Sequence, residues 1–420
     1  MSAVSPSKYN RIELQKKGKK SVELKGGVVS VDYYESLYSP TVTANVMYVD
    51  AGGNLEDDKN KLTSVKEALP ITGLEDLFFN ITNETGELKF LKKDAFKVSK
   101  APVMTRESNR QAVLLSVVSP QLKQNNDDPI FDKYKGKISD TVKKILKEKL
   151  KISNDKLDIE PTQNGYNFLG KGRGGLDLIL DLCKRSVPVK GDAGFFFYQT
   201  KSGFKFKSIN ELISQKPEFT LVYFGGFKQD NTEDNNDNKI MMPPRFEKDQ
   251  DVIKSLKGGV YRSRNIFFDP RTFCYEEVTY DISKDGVKKT LGGAPPFADD
   301  VKSFTKTFHH ILDVGSLDSN PSTEINNDPR EWQASSVMRY NLLHSQVVHI
   351  QIPCNLKLEA GNVIKMEIES TSANKEEGAK DEQQSGNYLI LNLCHHFTDR
   401  RSITSLTLVR DTYGIKRSKD

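Results

Sequence analysis

Alternation of apolar and polar positions dominates both ends of the chain. In TVTANVMYVD, residues 41–50, Val42, Ala44, Val46 and Tyr48 fall on one face and Thr41, Thr43 and Asn45 on the other. That two-residue period is the signature of a half-buried strand. VELKGGVVSVDYY before it and QAVLLSVVSP after it carry the same pattern, with Gly52-Gly53 and Thr72-Gly73 placed to turn the chain. Residues 21–120 therefore predict strands. The last part of the chain repeats the pattern in HSQVVHIQIP, NVIKMEIES, NYLILNL and SITSLTLVRD.

Between about 125 and 216 the period changes. ISDTVKKILKEKL puts Ile138, Val142, Ile145 and Leu146 on one helical face, Ser139 where a cap belongs, and lysines on the outer face. Leu176, Ile179, Leu180 and Cys183 recur at i, i+3, i+4 and i+7 and predict a second helix. In AGFFFYQTKSGFKFKSI, Lys201-Ser202-Gly203 separates two aromatic-rich runs, which is a hairpin signal. This segment reads as a small α/β unit set into a β chain. Strand signals resume at VYRSRNIFF and FCYEEVTYDI and fade from 283 to 330, where Gly, Pro, Asn and Asp are abundant. QDNTEDNNDNK at 229–239 and the run at 371–386 are polar enough to predict exposed loops.

A chain of 420 residues has length for roughly two to four domains, each with its own core. Its 62 Lys+Arg against 57 Asp+Glu leave a net +5, spread along the sequence. That spread argues against a dedicated nucleic-acid binder, whose affinity comes from gathered cations that displace counterions. Only the ends are locally basic: Lys16, Lys17, Lys19 and Lys20, then Lys416, Arg417 and Lys419, all read as solvated tails. Cys183, Cys274, Cys354 and Cys394 are widely spaced with no C-x-x-C pair, which fits a reducing compartment better than a disulfide scaffold. No apolar run reaches the ~18 residues of a bilayer span, and MSAVSPSKYNRIELQKKGKK lacks the apolar core of a signal peptide. No membrane segment and no export are expected.

Candidate chemistry is thin. Gly170, Gly172 and Gly175 fit G-x-G-x-x-G, with Lys171 and Arg173 among them as if for phosphate. A dinucleotide site requires a βαβ unit and an acid about 20 residues further on. The next strand, FFFYQT, instead ends in Gln199-Thr200, and the Walker spacing is absent. The glycines are therefore read as relaxing a tight lead into the helix. His309-His310 and Cys394-His395-His396 invite a metal reading. On a strand, Cys394 and His396 share one face while His395 points the other way. Two ligands leave a tetrahedral site half empty, so these side chains are read as structural. There is no G-x-S-x-G, no cysteine with an activating neighbour and no carboxylate pair of distinctive spacing. No catalytic, cofactor-binding or metal-binding residue is expected, and the chain is expected not to be an enzyme.

The run GGVVSVDYYESLYSPTVTANVMYVDAGG, followed by LPITGLEDLFFNI, resembles the opening of the central baseplate hub proteins of contractile-tailed (myovirus) bacteriophages, the adaptors between tail tube and spike. The resemblance continues in order through ISDTVKKIL, YNFLGKGRGGLDLILDLCKRSVP, GFFFYQTKSGFKFKSINELI, LKLEAGNVIKMEIES and SGNYLILNLCHHFTDRRSITSLTLVRDTYG. It spans most of the chain apart from 229–250 and 283–330. Its motifs are structural, and their specificity lies in their number and order.

The resemblance implies a mainly β chain with an α/β insertion: two similar antiparallel, tail-tube-like β-barrel domains, expected to form a trimeric pseudo-hexameric ring. The division it implies is a basic N-terminal arm over 1–20 and a first barrel over 21–124, with 217–228 available to complete it. An α/β insertion domain over 125–216 and a flexible loop over 229–250 follow. The second barrel takes 251–290 and 331–415, an irregular peripheral segment takes 291–330, and a tail takes 416–420. The implied function is a structural hub that connects the sixfold tube to the threefold cell-puncturing spike and lines the axial channel for DNA ejection. The implied partners are two further copies of the chain, the tail tube ring, the central spike, and baseplate wedge or peripheral hub proteins. Viral DNA would pass without sequence-specific binding, through a lumen expected to be neutral to acidic because phosphate contacts would hold it. Assembly in the host cytoplasm and residence in the virion tail follow. The alternatives are the hub of a DNA-free contractile injection particle and a hub with peptidoglycan-hydrolase activity. The latter is disfavoured because the barrels and the insertion fill the 420 residues and no needle repeat appears.

Overall fold

The computed structural model describes residues 6–52, 55–56, 62–107, 110–223, 239–249, 251–285, 287, 289–292, 304, 306–315, 317, 324–371 and 379–412. Residues 229–238 of the expected loop at 229–239, residues 372–378 of that at 371–386, and the tail 416–420 with Lys416, Arg417 and Lys419 lie outside the described residues.

Strand pairing is dictated by the alternation noted above. Thr43–Asp50 pairs antiparallel with Gln111–Val118 along its whole length, so Ala44, Val46 and Tyr48 stand opposite Val117, Leu115 and Val113. All six are buried. A one-residue slip would turn this set outward, which fixes the register. Val28–Ser36 flanks this pair on one side. Phe96–Lys100, Asp76–Asn83 and Lys8–Gln15 continue on the other. The interior is filled by Ile12, Leu14, Val31, Leu77, Phe79, Phe90 and Phe96. This is the first barrel-like unit. It begins earlier than expected: residues 8–15 are a stave rather than part of a free basic arm, because Ile12 and Leu14 alternate into the core.

The second unit is built from Gln346–Pro353, Val363–Ile368, Gly386–Thr398 and Ser402–Arg410, all antiparallel. Thr220–Tyr223 joins Val363–Ile368 in parallel. Residues 240 and 241 then close the ring, because Ile240 N–H donates to Val222 O at 3.0 Å and Met241 N–H to Gln351 O at 2.8 Å. Among the described residues these contacts join the two edges, and a joined edge is less open to stray strands. Leu221, Ile240, Val348, Ile350, Ile364, Met366, Ile390 and Leu408 fill the inside.

The two units are one sheet. Gly386–Thr398 runs 13 residues: its first part pairs with Val363–Ile368, and Asn392–Thr398 pairs with Ser30–Ser36 of the first unit. The fold is mainly β with an α/β insertion.

That insertion contains the helices Pro120–Asp127, Ile138–Lys144, Gly175–Cys183 and Ile209–Ile213, and a sheet of Leu157–Ile159, Gly203–Ser208 and Phe195–Thr200. The predicted hairpin is present, with Lys201 and Ser202 as its two-residue turn. Every residue of Phe195–Thr200 is buried, because the strand lies between two cores. Phe195 and Phe197 enter the insertion's core with Ile138, Val142, Leu176 and Ile179. Phe196 and Tyr198 face the second barrel's Val363, Leu389, Leu391 and Val409.

Six further expectations are corrected. The described part of 217–228 serves the second unit, since Thr220–Tyr223 pairs with Val363–Ile368 and not with the first barrel. Residues 251–290 are not barrel staves. Arg262–Asp269 and Cys274–Asp281 join Lys306–Ile311, from the supposedly irregular 291–330, in a separate three-stranded sheet. Only Asp281 of Cys274–Asp281 is buried, whereas a stave must bury alternate residues. Within 229–250, Arg245–Asp249 is a strand on Gln346–Pro353. Within 331–415, Pro329–Leu342 is a helix, started by Asp328, whose side chain accepts from Arg330 N–H. Ser139 does not cap its helix: it is buried in the first turn, and its N–H donates to Thr162 Oγ1 at 3.0 Å.

Candidate functional site

The glycine-rich stretch is fastened to its neighbours rather than open to a ligand. Gly170 N–H donates to Asp132 O at 3.0 Å, and Gly172 N–H donates to Ile130 O at 2.9 Å. A Cβ on Gly170 would sit 2.3 Å from Ile130 O, so the backbone approaches too closely for any side chain. Gly172, at φ +73°, makes the turn. The following helix spends its N-terminal end on the protein itself, because Leu176 N–H donates to the buried Asn125 Oδ1 at 2.7 Å. Arg173 pairs with Asp181. A helix N-terminus binds phosphate through free amides, and here Asn125 takes that place. Lys16, from the basic N-terminal cluster, is likewise held: its Nζ donates to Pro70 O at 2.9 Å and Thr72 Oγ1 at 2.8 Å.

Cys394 and His396 do share the outer face of their strand, with His395 buried on the other side. His396 pairs with Asp32 of the neighbouring strand. His395 Nδ1 lies 2.8 Å from Thr404 Oγ1, and burial, then the Lys201 charge, push it down to about 3. His310 stacks on Phe267 with ring centres 5.2 Å apart. Among the described residues no three His, Cys, Asp or Glu side chains are grouped to hold a metal. Burial pushes the thiols of Cys354 and Cys394 up to about 12 and that of Cys183 up as well, the reverse of what a nucleophile needs.

The polar chemistry sits where the three units meet. Glu35 is buried on the inward face of its strand. Its Oε1 accepts from Tyr33 OH at 2.8 Å and from Lys201 N–H in the insertion hairpin at 2.7 Å. Its Oε2 accepts from Ala360 N–H of the second barrel at 2.8 Å. One carboxyl group thus ties three units together. Burial and the neighbouring Glu359 charge raise Glu35 to about 7, against the pull of those three donors. Glu359 Oε2 accepts from Lys205 Nζ at 2.7 Å, Ser202 Oγ at 2.8 Å and Thr200 Oγ1 at 2.9 Å. Burial alone would raise Glu359, but Lys205 and those hydroxyls hold it low.

A second knot lies on the helix Pro329–Leu342. The wholly buried Arg339 reaches Asp411 Oδ2 at 3.3 Å, Asn210 Oδ1 at 3.1 Å and Asp192 Oδ2 at 3.8 Å. Asp411 Oδ1 also accepts from Leu291 N–H at 2.9 Å. The end of the second barrel, the insertion and this helix are thereby joined. On the outer surface, an open groove of 620 Å³ crosses the seam between the barrels, lined by Tyr34, Met242, Arg245, His349, Asn392 and Cys394 among others.

Of the motifs singled out in the sequence, only the Lys201-Ser202-Gly203 hairpin turn takes part in these knots, through Lys201 N–H and Ser202 Oγ. Glu35, Glu359, Arg339 and Asp411 were missed. For Glu35 a signal existed: Val31, Tyr33 and Glu35 share one face of a strand whose other members point inward, so an acid at the third position had to be buried.

No family model matches the chain, and no curated protein matches it. Solved structures do. The tail protein from Neisseria meningitidis MC58 superposes with a TM-score of 0.55 at 10% identity, over 96% of this chain and 97% of that one. The 43 kDa tail protein of prophage MuSo2 from Shewanella oneidensis gives 0.52 at 10% identity, over 97% and 100%. The chain therefore shares the fold of these tail proteins along nearly its whole length, which agrees at the level of fold with the resemblance read from the sequence.

Proposed function

We propose that the chain is the central hub of a contractile phage tail baseplate, joining the sixfold tail tube to the threefold cell-puncturing spike. The observation that carries this reading is the pair of barrel units fused through Gly386–Thr398. Two such units per chain let three chains present six similar faces to a tube and three to a spike. The end-to-end likeness of fold to tail proteins supports it. In this reading the chain is a homotrimer resident in the virion tail, assembled in the host cytoplasm. The tube ring, the spike, and wedge or peripheral hub proteins are its partners, and DNA passes along its axis. The lumen is neutral to acidic, and the protein works by geometry rather than by catalysis. Light scattering on the purified protein should return the mass of three chains, with one spike assembly added when the candidate spike is present. A monomer under both conditions refutes the reading. Clearing on a cell-wall zymogram would replace it with a hub that also hydrolyses peptidoglycan.

A further inference from the structure

The net charge of the chain is concentrated in one stretch. Residues 129–151 hold eight lysines against Asp132, Asp140 and Glu148, a net +5 equal to that of all 420 residues, so the other 397 balance at 54 of each sign. The basic excess therefore sits in the insertion and not only at the chain ends. This stretch opens as one strand of a two-stranded ribbon, in which Lys133 and Tyr134 pair antiparallel with Leu169 and Phe168. Directly opposite residues share a face, and neighbours along a strand alternate. Tyr134 is turned inward and buried, its ring stacked on Phe168 at 5.3 Å. The outward face therefore carries Lys133, Leu169 and, two positions along either strand, Phe131, Lys135 and Lys171, all five exposed. Phe131 is 72% exposed and Leu169 43%. The Phe131 ring lies over Gly172, where an added Cβ would stand 3.0 Å from it. Lys133 Nζ donates to the carbonyl of Leu317, itself an exposed apolar residue. Lys144 reaches the ribbon from the helix Ile138–Lys144, its ammonium 5.7 Å from the centre of the Tyr134 ring. Two acids of these segments are engaged, Asp132 with Lys149 at 2.8 Å and Asp181 with Arg173. The face thus sets apolar side chains among ammonium groups.

We propose that this face of the ribbon is a docking surface for an acidic segment of a partner protein, which sets carboxylates against Lys133, Lys135 and Lys171 and an apolar side chain against Phe131 and Leu169. Large apolar groups left in water inside a charged rim are the arrangement of a protein–protein contact. The rim selects an acidic partner and speeds its encounter, while the apolar centre, once covered, supplies the affinity. Nucleic acid fits the same surface less well. Its phosphates would meet the lysines but offer nothing apolar to Phe131 and Leu169. The rings that would stack on bases, Tyr134, Phe168 and Tyr166, are already stacked on one another at 5.3 Å. Docking also gives a use to the glycine-rich turn. Gly170 and Gly172 flank Lys171 at φ 53°, a backbone region that residues with a side chain seldom adopt, and present it exposed next to the position that the Phe131 ring covers.

Titration calorimetry on the intact protein tests this, with a short amidated peptide in which glutamates flank a Leu-Phe pair as the probe. The peptide should bind at one site per chain. Lys133→Glu/Lys171→Glu and Phe131→Ser should each weaken it about tenfold or more, with urea midpoints close to that of the wild type because these side chains are exposed. Lys25→Glu, the same charge change at an exposed site on the first barrel, should leave the affinity as it was. Replacing the glutamates of the peptide by glutamine, or its Leu-Phe pair by serines, should weaken binding about tenfold as well. Absence of binding, an affinity unchanged by either variant of the ribbon, or an equal loss in Lys25→Glu overturns the proposal. So does equal binding of the glutamine or serine peptide, or tighter binding of a DNA duplex than of the probe.

Discussion

Replacing Arg339 with Met keeps the apolar stem and removes the guanidinium from a site where its side chain and that of Asp411 are both 0% exposed. Asp411 is then left in the interior without the Arg339 guanidinium. Stripping one partner from a buried ion pair costs about 3–5 kcal/mol, because the orphaned charge cannot regain its hydration. Asp411→Asn is milder. The amide oxygen still accepts from Leu291 N–H, so a loss of about 1–3 kcal/mol is expected. The double variant removes both charges of the pair, and its defect should fall short of the sum of the singles by about 1–3 kcal/mol. Burial raises the Asp411 carboxyl while Arg339 and Leu291 N–H oppose that rise. Without the arginine it moves higher still. A raised acid stabilises below its ordinary value and loses that effect as pH climbs, so the Arg339→Met defect should be smaller at pH 5 than at pH 8. Urea unfolding at one protein concentration reads all four proteins. The chain's single tryptophan, Trp332, is buried on the same helix seven residues before Arg339 and reports the transition. An Arg339→Met defect below about 1 kcal/mol, or strict additivity in the double variant, would refute the assignment of this pair as a knot between the units.

Three other outcomes are expected. Phe196→Ala empties an aromatic contact that meets Tyr38 and Tyr340 edge-on at 5.5 and 5.4 Å, and should cost about 3–5 kcal/mol. Limited proteolysis should show the insertion freed from the barrels, while loss of stability without new cleavage there would count against the sandwiched strand. Gly170→Ala should cost on the order of 2 kcal/mol or more and Lys171→Ala less than about 0.5; a rise in Tm on adding ATP or NAD would reinstate the phosphate reading. His395, held neutral by burial with its value down at about 3, stabilises above an ordinary 6.5 and loses that effect as pH falls. The urea midpoint of His395→Gln should therefore gain on the wild type between pH 7 and pH 4, and parallel curves would exclude the effect.

Several barrel staves were legible where one side faced water. Thr43–Asp50 and Gln111–Val118 show this, because solvent on one face forces polar residues into alternate positions. Legibility failed where burial was satisfied by polar partners. The helix Pro329–Leu342 buries Ser336 and Arg339 among Trp332, Met338 and Leu342. Its apolar stripe is therefore broken, and the residues that make Arg339 tolerable lie up to 147 positions away at Asp192. Phe195–Thr200 was seen as a strand, but alternation could not reveal that both its faces are covered by different cores. For Arg262–Asp269, alternation gives an inner side without giving the body that lies against it, so the sequence places in a barrel a strand that belongs to a separate sheet. The glycine stretch shows the reverse hazard. Its spacing suggested a ligand, while the constraint on Gly170 comes from the protein's own carbonyl at Ile130.

The seam formed by Asn392–Thr398 on Ser30–Ser36 sets how mechanical load moves through the chain. Seven consecutive backbone pairings cross it, so moving one barrel against the other strains that row of crosswise hydrogen bonds together.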